Sequence, residues 1–136
     1  MPEKQPTLQF SFPCDGARED TGGAISIDRI VDGFQVRRPD EKNVLSFVQV
    51  LIVNGWTDGE GMHADRVSVT GPAGSTIAET RDHNYVLQTP MARAVNMHGI
   101  GLDVADEGEY RVHVYRDGEE VLSYPIGIRF REKQRR

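Results

Sequence analysis

The four histidines are the first residues to consider for metal chemistry. They stand at positions 63, 83, 98 and 113. No two of them are two or four residues apart, so no pair shares one side of a strand or one face of a helix. His63 and Asp65 are the nearest metal-like pair, and Asp82 stands beside His83. A zinc or transition-metal site needs three or four converging ligands. We therefore predict no metal site.

Six acidic residues in turn-like segments could supply oxygen ligands to calcium. They are Asp58, Glu60, Asp103, Asp106, Glu107 and Glu109. Calcium takes six to eight oxygens, and these carboxylates could gather if the turns cluster at one end of the domain. Their spacing matches no calcium-loop pattern. The favoured interpretation is a solvated acidic rim, with no cofactor.

A nucleophilic site is not indicated by the pattern around the single cysteine. Cys14 stands beside Asp15, but it is in phase with Phe10 and Phe12 and should point into the core, where a cysteine behaves as a small hydrophobe. The sequence contains no Gly-x-Ser-x-Gly motif, phosphate loop or dinucleotide fingerprint. We predict a protein that is not an enzyme, with a small hydrolase as the least favoured alternative.

The single tryptophan offers a binding function. Trp56 follows the most apolar segment, inside the turn-like sequence Asn54-Gly55-Trp56-Thr57-Asp58-Gly59. An exposed tryptophan there could stack on a sugar ring or anchor a protein partner, with Asp58 and Glu60 as neighbouring contacts. Alternatively, the indole folds back over the end of the core.

The elements that must position these residues are strands, because apolar residues recur with a period of two almost everywhere. The predicted strands cover residues 8–14, 24–31, 44–54, 66–70, 76–80, 93–103, 110–115 and 121–130. A Gly-Pro turn at 71–74 and an Asp-Gly turn at 117–118 predict two hairpins. Residues 81–90 carry little pattern and predict a loop. His113 falls on the polar side of its strand.

Segment 44–54 is apolar on both of its alternating faces. Val48, Val50 and Ile52 fill one face, while Phe47 and Leu51 stand on the other. A strand with one solvated face normally alternates to polar residues on that face. Both faces therefore need cover, either from loop 81–90 of the same chain or from a second molecule in a two-fold arrangement.

The predicted fold is all-β: a two-sheet antiparallel sandwich of the immunoglobulin or fibronectin type with seven to eight strands. The segment Asp106-Glu107-Gly108-Glu109-Tyr110 resembles the Asp-x-Gly-x-Tyr element before the penultimate strand of such domains. That resemblance implies a structural tyrosine corner formed by Asp106, Gly108 and Tyr110, in which the hydroxyl bonds back to the backbone. The alternative is that Tyr110 is simply a core aromatic.

A wider resemblance covers most of the chain. Phe-Pro-Cys-Asp-x-x-Arg-Glu at 12–19, a Gly-Gly turn, an isoleucine strand, the long apolar strand, a Gly-Pro hairpin and the Asp106 to Tyr110 element follow in order. This order is similar to a family of small, uncharacterised bacterial immunoglobulin-like β-sandwich proteins. The resemblance implies one sandwich without an assigned activity and no functional residues.

The length and charge of the chain limit its organisation and partners. With 136 residues we expect one sandwich domain at 8–130, a flexible N-terminal segment at 1–7 and a basic C-terminal tail at 131–136. The formal charge of −5 argues against nucleic acid as a partner. No segment is long and apolar enough for a membrane span. A single cysteine and no visible secretory signal favour the cytoplasm.

These observations together predict a non-catalytic protein-interaction or assembly module. Its partner is another protein or a second copy of the chain, as a homodimer. The alternative is a carbohydrate-binding module that uses Trp56 with Asp58 and Glu60.

Overall fold

The regular structure consists entirely of strands. A computed structural model describes residues 4–22, 24–89 and 91–131, and this part of the chain contains eleven strands and no helix. The strands are β1 (Thr7–Cys14), β2 (Ala17–Glu19), β3 (Ile25–Ile27), β4 (Gly33–Val36), β5 (Ser46–Thr57), β6 (Gly61–Thr70), β7 (Thr76–Glu79), β8 (His83–Leu87), β9 (Ala94–Val104), β10 (Gly108–Arg116) and β11 (Glu119–Phe130). The all-β prediction is confirmed. Within the described ranges, no helix could cross a membrane.

The strands form three sheets. A three-stranded sheet has the order β1-β5-β9, and a six-stranded sheet has the order β4-β11-β10-β6, with β7 and β8 both pairing with the far side of β6. The short strands β2 and β3 form a separate hairpin. All of the pairings are antiparallel except that of β4 with β11.

The strand count exceeds the predicted seven to eight because several short strands were hidden in weakly patterned sequence. Segment 81–90, predicted as a loop, contains β8, whose Tyr85 and Leu87 are buried while the residues between them are exposed. Two inward residues are too few to show a period of two. The predicted strand 24–31 is likewise reduced to β3 and an isolated bridge between Ile30 and Cys14.

The three-stranded and six-stranded sheets share one apolar core. Its largest fully buried aliphatic side chains come from both sheets: Val50, Ile52, Leu87, Leu102, Ile126 and Ile128. Fully burying such a side chain contributes roughly 1.5–3 kcal/mol. We call the sides of the two sheets that meet at this core their inner faces, and the opposite sides their outer faces.

Strand β5 continues through the predicted Asn54-Gly55 turn as far as Thr57. Gly55 is needed for a close approach rather than for a turn, because a Cβ atom there would lie 2.3 Å from the ring of Phe10 on the neighbouring strand. The chain turns instead after Thr57, where Asp58 has a φ of 61° and Gly61 a φ of 88°.

The predicted Asp-Gly hairpin connects β10 and β11. Asp117 and Gly118 have φ angles of 51° and 84°, as a two-residue type I′ turn requires at both central positions. The register from Gly108 opposite Ile128 to Arg116 opposite Glu119 confirms the predicted pairing.

The described ends of the chain contact the body of the domain. Pro6 is buried, and its carbonyl accepts a hydrogen bond from Arg116 at 2.8 Å, while the Glu60 amide donates to the Lys4 carbonyl at 3.0 Å. The remainder of the predicted flexible segment, residues 1–3, and most of the predicted basic tail, residues 132–136, lie outside the described residues.

Tyr110 lies at the start of β10 with its ring in the core. Only 2% of the residue is exposed, and its hydroxyl donates a hydrogen bond of 2.5 Å to the carbonyl of Asp106, four residues upstream. Gly108 between them has a φ of 147°, a conformation that favours glycine. This is the hydrogen bond of a tyrosine corner.

Replacing Tyr110 with phenylalanine should remove this hydrogen bond while the ring stays packed. We expect Tyr110→Phe to lower the free energy of unfolding by about 0.5–1.5 kcal/mol, the net value of one such bond. Urea denaturation measures the change, and an unaltered midpoint would show that the hydroxyl contributes nothing to stability.

Candidate functional site

At one end of the core, the inner faces of three strands change from apolar to polar at the same level. On β5, Val50 and Ile52 are followed by Asn54 and Trp56. On β9, Ile100 and Leu102 are preceded by Asn96 and His98. On β6, Val67 and Val69 are preceded by His63 and Asp65. All six polar-end residues are buried. We call them, with Tyr85 of β8, the polar cluster.

Asp65 is the centre of the polar cluster, because its carboxylate accepts contacts from both other strands. Oδ1 accepts a hydrogen bond from the Asn54 amide at 3.0 Å, and Oδ2 accepts one from the Trp56 indole at 2.8 Å and one from the Asn96 amide at 3.0 Å. His98 Nε2 also lies 3.0 Å from Oδ2, but it is not aligned for a hydrogen bond. Asp65 itself is 0% exposed.

The electrostatic environment of Asp65 favours its ionised form. Burial by itself raises the pKa of the carboxyl, but the contact and charge of His98, together with the hydrogen bonds from Trp56 and Asn96, lower the pKa below its usual value. A buried carboxylate is tolerated only when such donors satisfy it. The three hydrogen-bond donors and the His98 ring come from β5 and β9, so the carboxylate of β6 connects the two sheets.

His63 has a separate set of partners at the solvent side of the cluster. Its Nδ1 lies 2.8 Å from Asp117 Oδ2, and its Nε2 lies 2.7 Å from the Glu60 carbonyl. Both partners only accept, so both contacts are satisfied together by the doubly protonated ring. Burial raises the pKa of Asp117, but the His63 contact and the amide of Ala64 outweigh it and hold that pKa below its usual value.

Tyr85 packs between the aromatic rings of the cluster. Its ring centroid lies 6.0 Å from that of Trp56 and 6.1 Å from that of His63. Burial and the nearby carboxylates of Asp65 and Asp117 raise the pKa of its hydroxyl, so the hydroxyl is neutral. The polar cluster is closed to solvent, and the three principal surface cavities are lined by other residues.

The histidines and carboxylates that were considered as metal ligands therefore make structural contacts. His63 and Asp65 share the inner face of β6 but bind different partners, and the His83 ring packs edge-on against His98 at 6.1 Å. His113 contacts Thr70 and Glu120 on the outer face of the six-stranded sheet. Across residues 4–22, 24–89 and 91–131, no group of three or more potential ligands could hold a metal ion.

Of the two positions that the sequence allowed for Trp56, the structure has the buried one. Trp56 belongs to β5, is 0% exposed and donates its indole N–H to Asp65. The residue follows the period of two from Ile52 and Asn54, which turns the indole toward the inner face. The alternative interpretation, a tryptophan over the end of the core, describes its position. Asp58 and Glu60 lie exposed in the β5–β6 turn.

The six acidic residues considered for calcium do not gather. Asp103 pairs with Phe47 near the start of β5, whereas Asp58 follows the end of that strand. Ten residues separate Phe47 from Thr57, or roughly 33 Å at about 3.3 Å per residue. Glu107 instead accepts a hydrogen bond from the amide of Phe130.

A second feature is the outer face of the β1-β5-β9 sheet. Its side chains include Phe10, Phe12, Cys14, Phe47, Gln49, Leu51, Val53, Val95, Met97 and Asp103, with glycines at 55, 99 and 101. Cys14 is buried, but it lies on this outer face and not in the shared core as the sequence predicted. Asp103 is the charged residue of this set. Phe47 is 68% exposed and Met97 41% exposed, and Leu45 and Val44, just before β5, are 46% and 69% exposed.

The β2–β3 hairpin covers part of this outer face. Ile25 and Ile27 of β3, with Phe10 and Phe12, line part of a cavity of about 570 Å³ above Val53, which is fully buried. Cover does not come from segment 81–90, because β8 within it pairs with β6 in the other sheet. Phe47 remains in solvent.

Comparison with protein-family models and with curated proteins finds no match. The interpretation of the polar cluster and of the outer face therefore depends on their geometry alone. A sequence signal for the cluster did exist, since His63, Asp65, Val67 and Val69 alternate with a period of two. Because inward residues were expected to be apolar, the predicted strand began only at Arg66.

Removing the charge of Asp65 should weaken the connection between the sheets. We expect Asp65→Asn to lower the free energy of unfolding by about 3–5 kcal/mol, as when one partner of a buried charged group is lost. Because the folded pKa of Asp65 lies below its ordinary value of about 3.9, its contribution is present above that pH and is lost as the pH falls through the folded pKa. The difference between the two proteins should therefore shrink below about pH 4.

Urea denaturation of both proteins between neutral and acidic pH measures this difference. Asp58→Asn is the matched control, because Asp58 is exposed and asparagine tolerates its positive φ. The control should change stability by less than about 0.5 kcal/mol. An Asp65→Asn protein as stable as the wild type at neutral pH would contradict the role assigned to the carboxylate.

Proposed function

We propose that this chain is a non-catalytic protein-interaction and assembly module that self-associates through the outer face of the β1-β5-β9 sheet. The observation that carries the proposal is the exposed apolar surface around Phe47. Contiguous exposed apolar patches on soluble proteins mark interaction sites.

The contrast between the two outer faces supports this proposal. On the six-stranded sheet, Arg66 stacks over the Tyr115 ring at 3.9 Å and pairs with Glu79 at 3.2 Å. Arg111 lies 3.7 Å from Glu109 on the same surface. That face is charged and suited to water, whereas the charged side chains of the outer face of the three-stranded sheet, Arg93 and Asp103, stand at the two ends of β9.

A non-catalytic role is supported by the closed polar cluster. Asp65 is fully buried and its two oxygens already accept several donors, so the carboxylate has no path to a substrate. A carbohydrate-binding role would require an exposed indole, and the indole of Trp56 is buried.

The fold assignment within this proposal is an immunoglobulin-like sandwich. The two sheets with a shared core and the Tyr110 to Asp106 hydrogen bond support it. The three short strands β2, β4 and β8 account for the excess of eleven strands over the eight predicted segments. Membership of the small bacterial family and a cytoplasmic location are further proposals, the latter supported by the single, buried Cys14.

The proposal predicts a dimer that depends on Phe47. Light scattering at micromolar concentrations should give about twice the 15.2 kDa mass of the chain for the wild type. Phe47→Lys should shift the protein to monomer, because a charged side chain would replace the apolar contact. The new cation would face Asp103 across the sheet, so the fold should be retained.

Val86→Lys is the matched control. Val86 is 53% exposed on β8 of the other sheet, and the change in charge is the same. This variant should remain dimeric. A wild type that is monomeric at every concentration would contradict self-association, and equal effects of both variants would contradict the assignment of the surface.

A further inference from the structure

The sheet edges of the described chain differ in how well they are protected. Strands β4, β7 and β8 at the edges of the six-stranded sheet have only four or five residues. Edge strand β1 contains Pro13 and a register shift between Leu8 and Phe10. Its end is further covered by the hydrogen bond from the Val31 amide to the Pro13 carbonyl. Short edges, prolines and bulges prevent pairing with other chains.

Strand β9 has none of these protections. It is eleven residues long, contains no proline, lysine or arginine, and pairs with β5 in an unbroken register from Ala94 to Val104. Over the residues that the structure describes, its other edge makes no backbone pairing. Such an edge presents a row of backbone donors and acceptors to a further strand.

The outer-face residues of β9 are complementary to themselves in reverse order. From Arg93 to Asp103 every second residue reads Arg, Val, Met, Gly, Gly, Asp, and Arg93 lines the same outer cavity as Val95 and Met97. Two such strands paired antiparallel about His98 place Arg93 opposite Asp103, Val95 opposite Gly101 and Met97 opposite Gly99. Every large side chain then faces a glycine, and every charge faces its opposite.

We infer that two copies of the chain pair their β9 edges antiparallel across a two-fold axis at His98, forming one six-stranded sheet. This inference rests on the proposed function, and names the second copy as the partner. Direct cross-strand pairs of opposite charge stabilise a sheet, and like charges opposite one another destabilise it. Neither Arg93 nor Asp103 forms an ion pair with a described residue of its own chain.

The pairing also engages the exposed apolar surface. The Phe47 ring lies over Gly101, because a Cβ atom on Gly101 would be 2.8 Å from that ring. Val95 of the second copy, opposite Gly101, therefore packs beside Phe47. His98 lies at the axis on the inner face, where each ring stays against its own Asp65.

A charge exchange tests this register. Arg93→Asp and Asp103→Arg should each weaken dimerisation by at least about tenfold, because the symmetric interface holds two such pairs and each would become repulsive. The double variant, with Asp at 93 and Arg at 103, restores both pairs in the reversed sense and should return the dissociation constant to within about threefold of the wild type. Sedimentation at several protein concentrations measures the constants.

The same exchange at Arg66 and Glu79 is the control, because this exposed pair lies on the other sheet, and it should leave dimerisation unchanged. A double variant no tighter than the single variants would overturn the β9 register. If the wild type is a dimer that Phe47→Lys dissociates while Arg93→Asp has no effect, the edge pairing fails and the proposed function stands. A wild type that stays monomeric overturns both.

Discussion

The requirement to satisfy one buried carboxylate constrains the arrangement of both sheets. Asp65 is fully buried on β6. Asn54 and Trp56 on β5 and Asn96 on β9 donate hydrogen bonds to it, and His98 on β9 lies 3.0 Å away. A buried charge without such partners is strongly unfavourable. The offset between the sheets must therefore bring Asp65 to the level of its donors, whereas the aliphatic part of the core would tolerate other offsets because hydrophobic contact is non-directional.

The same constraint limits how the three-stranded sheet can be used. Its inner face is occupied by the core and the polar cluster, so the proposed contact with a second copy uses its outer face and its β9 edge. The outer face is apolar around Phe47, and the edge carries the reversed pattern from Arg93 to Asp103. The proposed interaction module therefore needs no opening into its interior.

Period-two alternation was sufficient to predict the long strands and the Asp-Gly hairpin, because each pairs a strong apolar pattern with specific turn chemistry. The hydrogen bond of Tyr110 was instead expected from the resemblance of residues 106–110 to the Asp-x-Gly-x-Tyr element. Alternation failed where inward residues are polar. Trp56 was assigned to a loop because Asn54-Gly55 has the composition of a turn, but Gly55 is required by the overlying Phe10 ring. Residues 61–65 were left out of β6 because His63 and Asp65 are inward without being apolar. The partners of Asp65 are 9 to 33 residues away in sequence, and Asp117, a partner of His63, is 54 residues away. Local patterning does not detect such contacts.

The central claim is that Asp65 joins the sheets through donors that include the indole of Trp56. Trp56 is the only tryptophan of the chain, so its indole N–H gives one resolvable resonance in a proton–nitrogen correlation spectrum. The measurement is the hydrogen-exchange rate of that N–H at neutral pH. The account predicts exchange slowed to the level of the most protected core amides, since opening this contact requires the sheets to separate. Exchange as fast as that of a solvent-exposed indole would contradict it.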